Sequence, residues 1–274
     1  MTRLTDQQVD QIASQVASLL GNAPASSAAS DQTSSPPPID ESHGVGVFGS
    51  IDAAVQAAQS AHEAFKSMDL KRRGRIIDSI RAKMFQYEEE LARRAHEETG
   101  FGRVEDKVKK NHMVTELTPG PEMLSPNAYT GDRGLTLEEP APFGVIGAIT
   151  PSTNPTSTII CNTIGMLSAG NSIVFNVHPS AKDVSVYNVK LLNQAITEAG
   201  GPANLVTTVA QPTIQSAQEL MKHPGIRLLT VTGGAEVVRV AMQSGKRAIC
   251  AGPGNPPVVV DETADIEHAA YSIV

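Results

Sequence analysis

Three short polar stretches carry the residue types that could do chemistry. In Thr150-Pro-Ser-Thr-Asn154-Pro-Thr-Ser-Thr158 a side-chain amide stands between Thr153 and Pro155 among small hydroxyl residues. A neutral amide donor fixed in that way suits the stabilisation of a developing oxyanion. Asn176-Val-His178-Pro-Ser180 places an imidazole and a hydroxyl where a strand would give way to a helix. Thr232-Gly233-Gly234-Ala-Glu236 puts two glycines at a helix start, where bare backbone and amide dipoles can approach a phosphate or a sugar. Each stretch also has a purely structural reading, as a Pro-bounded turn, a loop histidine or a tight glycine corner. The two cysteines, Cys161 and Cys250, are far apart and form no CxxC pair, so neither a disulfide framework nor a thiolate metal site is expected. Cys161 falls in the apolar run Ile159-Ile-Cys161-Asn-Thr-Ile164 and reads as a buried structural thiol, and Cys250, which ends the strand-like Ala248-Ile-Cys250, also reads as structural.

The elements that must position these stretches alternate. The β-rich runs Gly144 to Thr150, Ser172 to Val177, Asn204 to Val209, Arg227 to Thr232 and Val258 to Asp261 are separated by helical patterns at Thr156 to Ser168, Ala181 to Ala199, Ile214 to Lys222 and Ala235 to Ser244. Strand, helix, strand at this spacing predicts an α/β fold, a parallel sheet with helices on both faces and ligands beyond the carboxyl ends of the strands. All three polar stretches lie at strand-to-helix turns. Upstream, Ile51 to Asn111 is helical, its apolar positions separated by charges such as Arg72, Arg81, Glu88 and Arg93 that read as a solvated face. Residues 118–141, rich in Pro and Gly, read as extended or hairpin chain.

The N-terminus differs in character. Val9, Ile12, Ala13, Val16, Leu19 and Leu20 recur at helical spacing, with Thr5 and Gln8 as a capping box and Gly21 as a stop, so residues 1–20 read as a short amphipathic helix. Residues 21–42 are Ala-, Ser- and Pro-rich and read as a disordered linker. An isolated helix of about 16 residues is marginal in water, so the tethered apolar face points to a partner that covers it, with docking back on its own domain or a fraying terminus as the alternatives. The face carries no Lys or Arg stripe, which favours a protein groove over a lipid surface.

Composition narrows the classes further. The 274 residues are 40% hydrophobic, enough for a buried core, and the net charge of −7 gives no general attraction to nucleic acid or anionic membrane. No apolar run approaches the roughly 18 residues of a membrane span and no secretory signal opens the chain, so a cytoplasmic protein is expected.

In order, the segments Pro142-Phe-Gly-Val-Ile-Gly-Ala-Ile-Thr-Pro-Ser-Thr-Asn154-Pro, Leu167-Ser-Ala-Gly-Asn171, His178-Pro-Ser180, Val231-Thr-Gly-Gly234 and Ala251-Gly-Pro-Gly-Asn-Pro-Pro257 resemble the aldehyde dehydrogenase superfamily, and within it the CoA-acylating branch. The resemblance covers the chain from about residue 43 onward. It implies a Rossmann-type NAD-binding domain over residues 43–274, with Asn154 in the catalytic role of oxyanion donor and Thr150, Pro151, His178, Ser180, Gly233, Gly234 and Gly252 in segments that line the NAD site. The N-terminal helix on its tether resembles the encapsulation peptide of microcompartment aldehyde dehydrogenases. That implies a shell-protein partner for residues 4–20 and a location inside a bacterial microcompartment.

The resemblance further implies NAD-dependent oxidation of a short-chain aldehyde, such as acetaldehyde or propionaldehyde, to acyl-CoA through a cysteine thioester, with coenzyme A as co-substrate and a homo-oligomeric full-length enzyme. Two positions depart from the hydrolytic branch. His178 replaces a lysine that contacts the adenosine ribose, and Ala251 replaces the glutamate that activates the deacylating water. Without that carboxylate hydrolysis lacks its general base, whereas a thiol, a few per cent ionised at neutral pH, needs less help. Neither cysteine occupies the nucleophile's place, which the resemblance puts just beyond the segment matching Asp261 to Val274. The amphipathic pattern Ile266, Ala269, Ala270, Ile273, capped by Asp265, runs on to the last residue. The expectation is an N-terminal piece of a longer enzyme, its catalytic domain downstream; the alternative is a non-catalytic shell-docking or NAD-binding module.

Overall fold

The computed structural model describes residues 45–254 and 257–273. The expected amphipathic helix of residues 1–20 and the linker of 21–42 lie outside the described residues. Strand β1 (Val47–Phe48) is followed by helices α1 (Ile51–Phe65), α2 (Leu70–Thr99) and α3 (Val104–Leu117), then by a hairpin, β2 (Asn127–Gly131) and β3 (Gly134–Glu138). The alternating part runs β4 (Val145–Ile149), α4 (Pro155–Ser168), β5 (Ser172–Asn176), α5 (Lys182–Glu198), β6 (Val206–Val209), α6 (Ile214–Lys222), β7 (Leu228–Thr232), α7 (Ala235–Met242) and β8 (Ala248–Ala251), and α8 (Ile266–Ile273) closes it.

The helices form where caps and apolar spacing agree. In α1, Ser50 accepts from the Ala53 N–H, and Ile51, Ala54, Val55, Ala58, Ala61 and Phe65 make one buried stripe. Asp69 caps α2, which runs 30 residues before Gly100, in the left-handed region at φ 69°, stops it. The Ile51 to Asn111 reading thus resolves into three helices. Arg81 departs from its expected place on a solvated face: its guanidinium donates to the carbonyls of Thr115, Glu116 and Thr118 and closes the C-terminus of α3.

Six strands form one parallel sheet in the order β1-β6-β5-β4-β7-β8. Every residue of β4 and β5 is buried. Side chains alternate between two cores: Ala148, Ile173 and Phe175 join α2, α4 and α5, whereas Val145, Ile149 and Val174 join α1, α6 and α7. At Gly147 a Cβ would stand 3.1–3.3 Å from Leu229, Ile226 and Leu220, so the glycine lets α6 pack directly on β4.

The hairpin bears out the extended reading over residues 127–138, with Tyr129 opposite Thr136, whereas Pro121–Met123 form a short 3-10 helix. A further reading changes. Val258 to Asp261 is not a strand: among the described residues no neighbouring chain pairs with it, and β-rich composition alone supplies no ladder hydrogen bonds. The strand-like Ala248-Ile-Cys250 is the parallel edge strand β8 beside β7, and β1, too short to show any alternation, completes the other edge.

Candidate functional site

From β4 the chain winds outward through β5 and β6, then returns to the other side of β4 for β7 and β8. The loops after β4 and β7 therefore leave in opposite directions, and a crevice opens between them at the carboxyl ends of the strands. The cavity there is about 820 Å³. Thr150, Pro151 and Asn154 enter it from the β4 loop, His178 from the β5 loop, Gly233 and Gly234 from the β7 loop and Gly252 from the end of β8. Apolar side chains of α6 and α7, among them Ala217, Met221, Val237 and Val240, form one wall.

Of the residues expected at a site, Ser180 alone lies outside this lining. It turns to His178, whose Nδ1 accepts from the Ser180 N–H at 3.2 Å and lies 2.7 Å from its Oγ. An Nδ1 that accepts from a backbone amide is unprotonated in the neutral ring, so Nε2–H is the ring's donor. Behind His178, the buried Asn176 ties β5 to the start of α6: Ser216 Oγ donates to its Oδ1 at 2.6 Å.

Two features of the lining lack internal partners. Thr150 is 2% exposed, and among the described residues its Oγ1 has no hydrogen-bond partner. Helix α7 has Gly234 at its N-cap and hence no side-chain acceptor for its first amides, and a Cβ on Gly234 would meet nothing within 4 Å. Gly233 differs, because a Cβ there would stand 2.6 Å from Val237 Cγ1. Glu236, in the first turn of α7, is held by Arg239.

Asn154 is the N-cap of α4, with Pro155 in the first turn, yet its side chain caps nothing. Its Oδ1 instead accepts from Lys110 Nζ at 2.7 Å. One face of α3 grips this whole turn. Lys107 Nζ donates to the Thr153 carbonyl at 3.0 Å, and Thr156 Oγ1 donates to Asn111 Oδ1 at 2.8 Å. From α5, Asn188 Nδ2 donates to the Thr156 carbonyl at 3.2 Å. Lys107 is buried, and burial, followed by the charge of Lys110, pulls its ammonium below the usual lysine range. These α3 and α5 side chains escape a reading of sequence. Their only signal is the spacing i, i+3, i+4 of Lys107, Lys110 and Asn111.

Cys161 is half-buried, not fully enclosed as expected, Cys250 is half-buried as well, and neither lines the cleft. The packing of α4 and the sheet edge leaves one side of each residue open. Among the described residues no cluster of His, Cys, Asp and Glu could hold a metal ion, and no helix is long and apolar enough to cross a membrane.

A doubly wound sheet with this crevice, and with the motifs of its loops, is matched by known proteins. The chain belongs to the aldehyde dehydrogenase family, whose sequence profile matches residues 49–274. It is similar to the acetylating acetaldehyde dehydrogenase EutE of Salmonella typhimurium, 53% identical over 238 residues that make up 86% of this chain and 50% of that protein. Among solved structures it is similar to a propionaldehyde dehydrogenase from the fucose utilisation bacterial microcompartment of Clostridium phytofermentans, at 52% identity and a TM-score of 0.78, covering 84% of this chain and 53% of that one. The propionaldehyde dehydrogenase of Rhodopseudomonas palustris with bound propionyl-CoA aligns at 48% identity and a TM-score of 0.77, over 90% of this chain and 54% of that one. The chain thus spans about half the length of the relatives it matches.

Proposed function

We propose that this chain supplies the NAD-binding part of a CoA-acylating aldehyde dehydrogenase that converts a short-chain aldehyde to its acyl-CoA. The observation that carries the reading is the meeting of the β4, β5, β7 and β8 loops, with Asn154 among them, in one cleft at the switch point of a family member's sheet. The cleft suits an extended dinucleotide. The α7 amides without a side-chain cap and the open space over Gly234 fit a pyrophosphate, and the unpartnered Thr150 Oγ1 fits a polar group of the cofactor. The slot between Ala217, Met221, Val237 and Val240 fits an adenine ring, with Nε2–H of His178 at its rim. NAD, when bound, accepts the hydride.

The protein's own part begins at the aldehyde. A cysteine thiolate, expected in the second half of the full-length enzyme, adds to the carbonyl carbon, and the Asn154 amide donates to the oxygen as it becomes an alkoxide. Collapse of that adduct releases hydride and leaves a thioester. Ala251, at the end of β8, offers no carboxylate to deprotonate water, so the thiol of coenzyme A is the favoured acceptor. With the intact gene product, NADH formation from acetaldehyde or propionaldehyde is expected to require CoA and to yield the acyl-CoA. NADH formed without CoA, together with the carboxylic acid, would replace this reading with ordinary aldehyde oxidation.

A second reading applies to the 274 residues on their own, because neither cysteine lines the cleft: a module that binds NAD, or a shell protein through residues 4–20, without turnover. For the whole protein the proposed setting is the interior of a bacterial microcompartment, as a homo-oligomer.

A further inference from the structure

We infer that Lys110 is a positioning residue for the Asn154 amide: by occupying Oδ1 it leaves Nδ2–H as the end that meets the reacting oxygen. The inference rests on the reading of Asn154 as an oxyanion donor and deepens it.

A side-chain amide has an acceptor end and a donor end of nearly equal size, and only the donor end stabilises an alkoxide. Rotated by half a turn, Asn154 would present a carbonyl to the developing charge and repel it. The alternatives are separated by the partner on the far side. An ammonium group has three donors and no acceptor, so a 2.7 Å contact with Lys110 Nζ is possible for Oδ1 and not for Nδ2. Among the described residues no carboxylate lies within ion-pair distance of Lys110, so this charge is not drawn elsewhere. A charged donor on the carbonyl oxygen also polarises the amide and strengthens its N–H groups as donors.

The backbone around Asn154 is held separately. Lys107 fixes the Thr153 carbonyl, and Asn111 and Asn188 fix Thr156 from two helices. With both sides of the turn pinned, rotation about the side chain is the freedom that remains, and Lys110 sets it. Helix α3 thus contributes to the chemistry without lining the cleft.

The test is a double-mutant cycle in the intact gene product, read as kcat and as KM for NAD. Asn154→Ala should lower kcat by about 10²- to 10³-fold, the loss of one oxyanion donor. Lys110→Met should lower kcat by about tenfold or more, bounded by that loss, with KM for NAD unchanged. In the Asn154→Ala background Lys110→Met should have no further effect, because the group it orients is gone. Lys110→Arg, which keeps both donors and charge, should retain most of the rate. Lys110 is exposed, and an unchanged melting temperature for Lys110→Met separates positioning from folding. An equal fold-loss from Lys110→Met in both backgrounds, or no loss in either, overturns the inference while leaving Asn154 its role. An unchanged rate for Asn154→Ala overturns the oxyanion reading and this inference with it.

Discussion

Gly233 and Gly234 are neighbours in one turn, and their lack of a side chain serves different ends. A methyl on Gly233 would strike Val237, whose β-branched side chain cannot swing away freely, so Gly233→Ala is expected to cost about 1–3 kcal/mol in chemical denaturation. Gly234 faces open space at φ −67° and ψ 167°, angles any residue adopts. Gly234→Asp should leave the melting temperature unchanged or slightly raised, since Asp is the better N-cap. It should weaken NADH binding about tenfold or more in a fluorescence titration, because the carboxylate would stand where the pyrophosphate is proposed. Unaltered binding would remove the pyrophosphate from this turn. At this scale the sequence revealed groups whose neighbours in the chain define them, such as Asn154 between Thr153 and Pro155. It concealed Lys107 and Lys110, because a lysine on a helix beside Glu105 and Asp106 looks the same whether it faces water or a turn that lies more than forty residues away along the chain.

Elements were legible where their period and caps are local. The alternation from β4 to β7 follows from apolar runs of strand length between helical patterns, and even the last helix has its expected cap, with the His268 N–H on Asp265 Oδ1 at 3.0 Å. What could not be read was pairing. Val258 to Val260 has the composition of a strand and, among the described residues, no partner, whereas β1 is a strand only because the edge of β6 accepts it. Contacts between helices were equally hidden. Glu98, near the end of α2, accepts from the Asp183 and Val184 amides at 2.9 and 2.8 Å and so caps α5 from outside. Glu98→Ala should lower stability by about 1 kcal/mol, measured as a shift in the urea midpoint without a change in slope. A null result would mean that water replaces the carboxylate at no cost.

For the whole molecule, the doubly wound sheet supplies the cleft, and the relatives are about twice as long as the portion they share with it. Val259 and Tyr271, 91% and 85% exposed, belong to the last stretch, which shares little packing with the sheet. On the proposed reading residues 1–20 serve as an address. Deletion of residues 1–20 should then abolish co-purification with microcompartments while kcat and KM stay as in the intact protein. Loss of activity on deletion would show instead that the helix packs on the enzyme.

The edge strand β1 has a bearing on how the chain reaches this state. Gly46 donates to Asn204 Oδ1 across 158 residues, and Val47 and Phe48 pair with Thr208 and Val209. At ribosomal speeds of about 5–20 residues per second, β1 waits roughly ten to thirty seconds for its partner. During that interval the apolar stripe of α1, which packs on β5 and β6 in the finished sheet, is uncovered. Substitutions along this edge should therefore appear first as lower yield and greater chaperone demand during synthesis, with little trace in the activity of the molecules that complete folding.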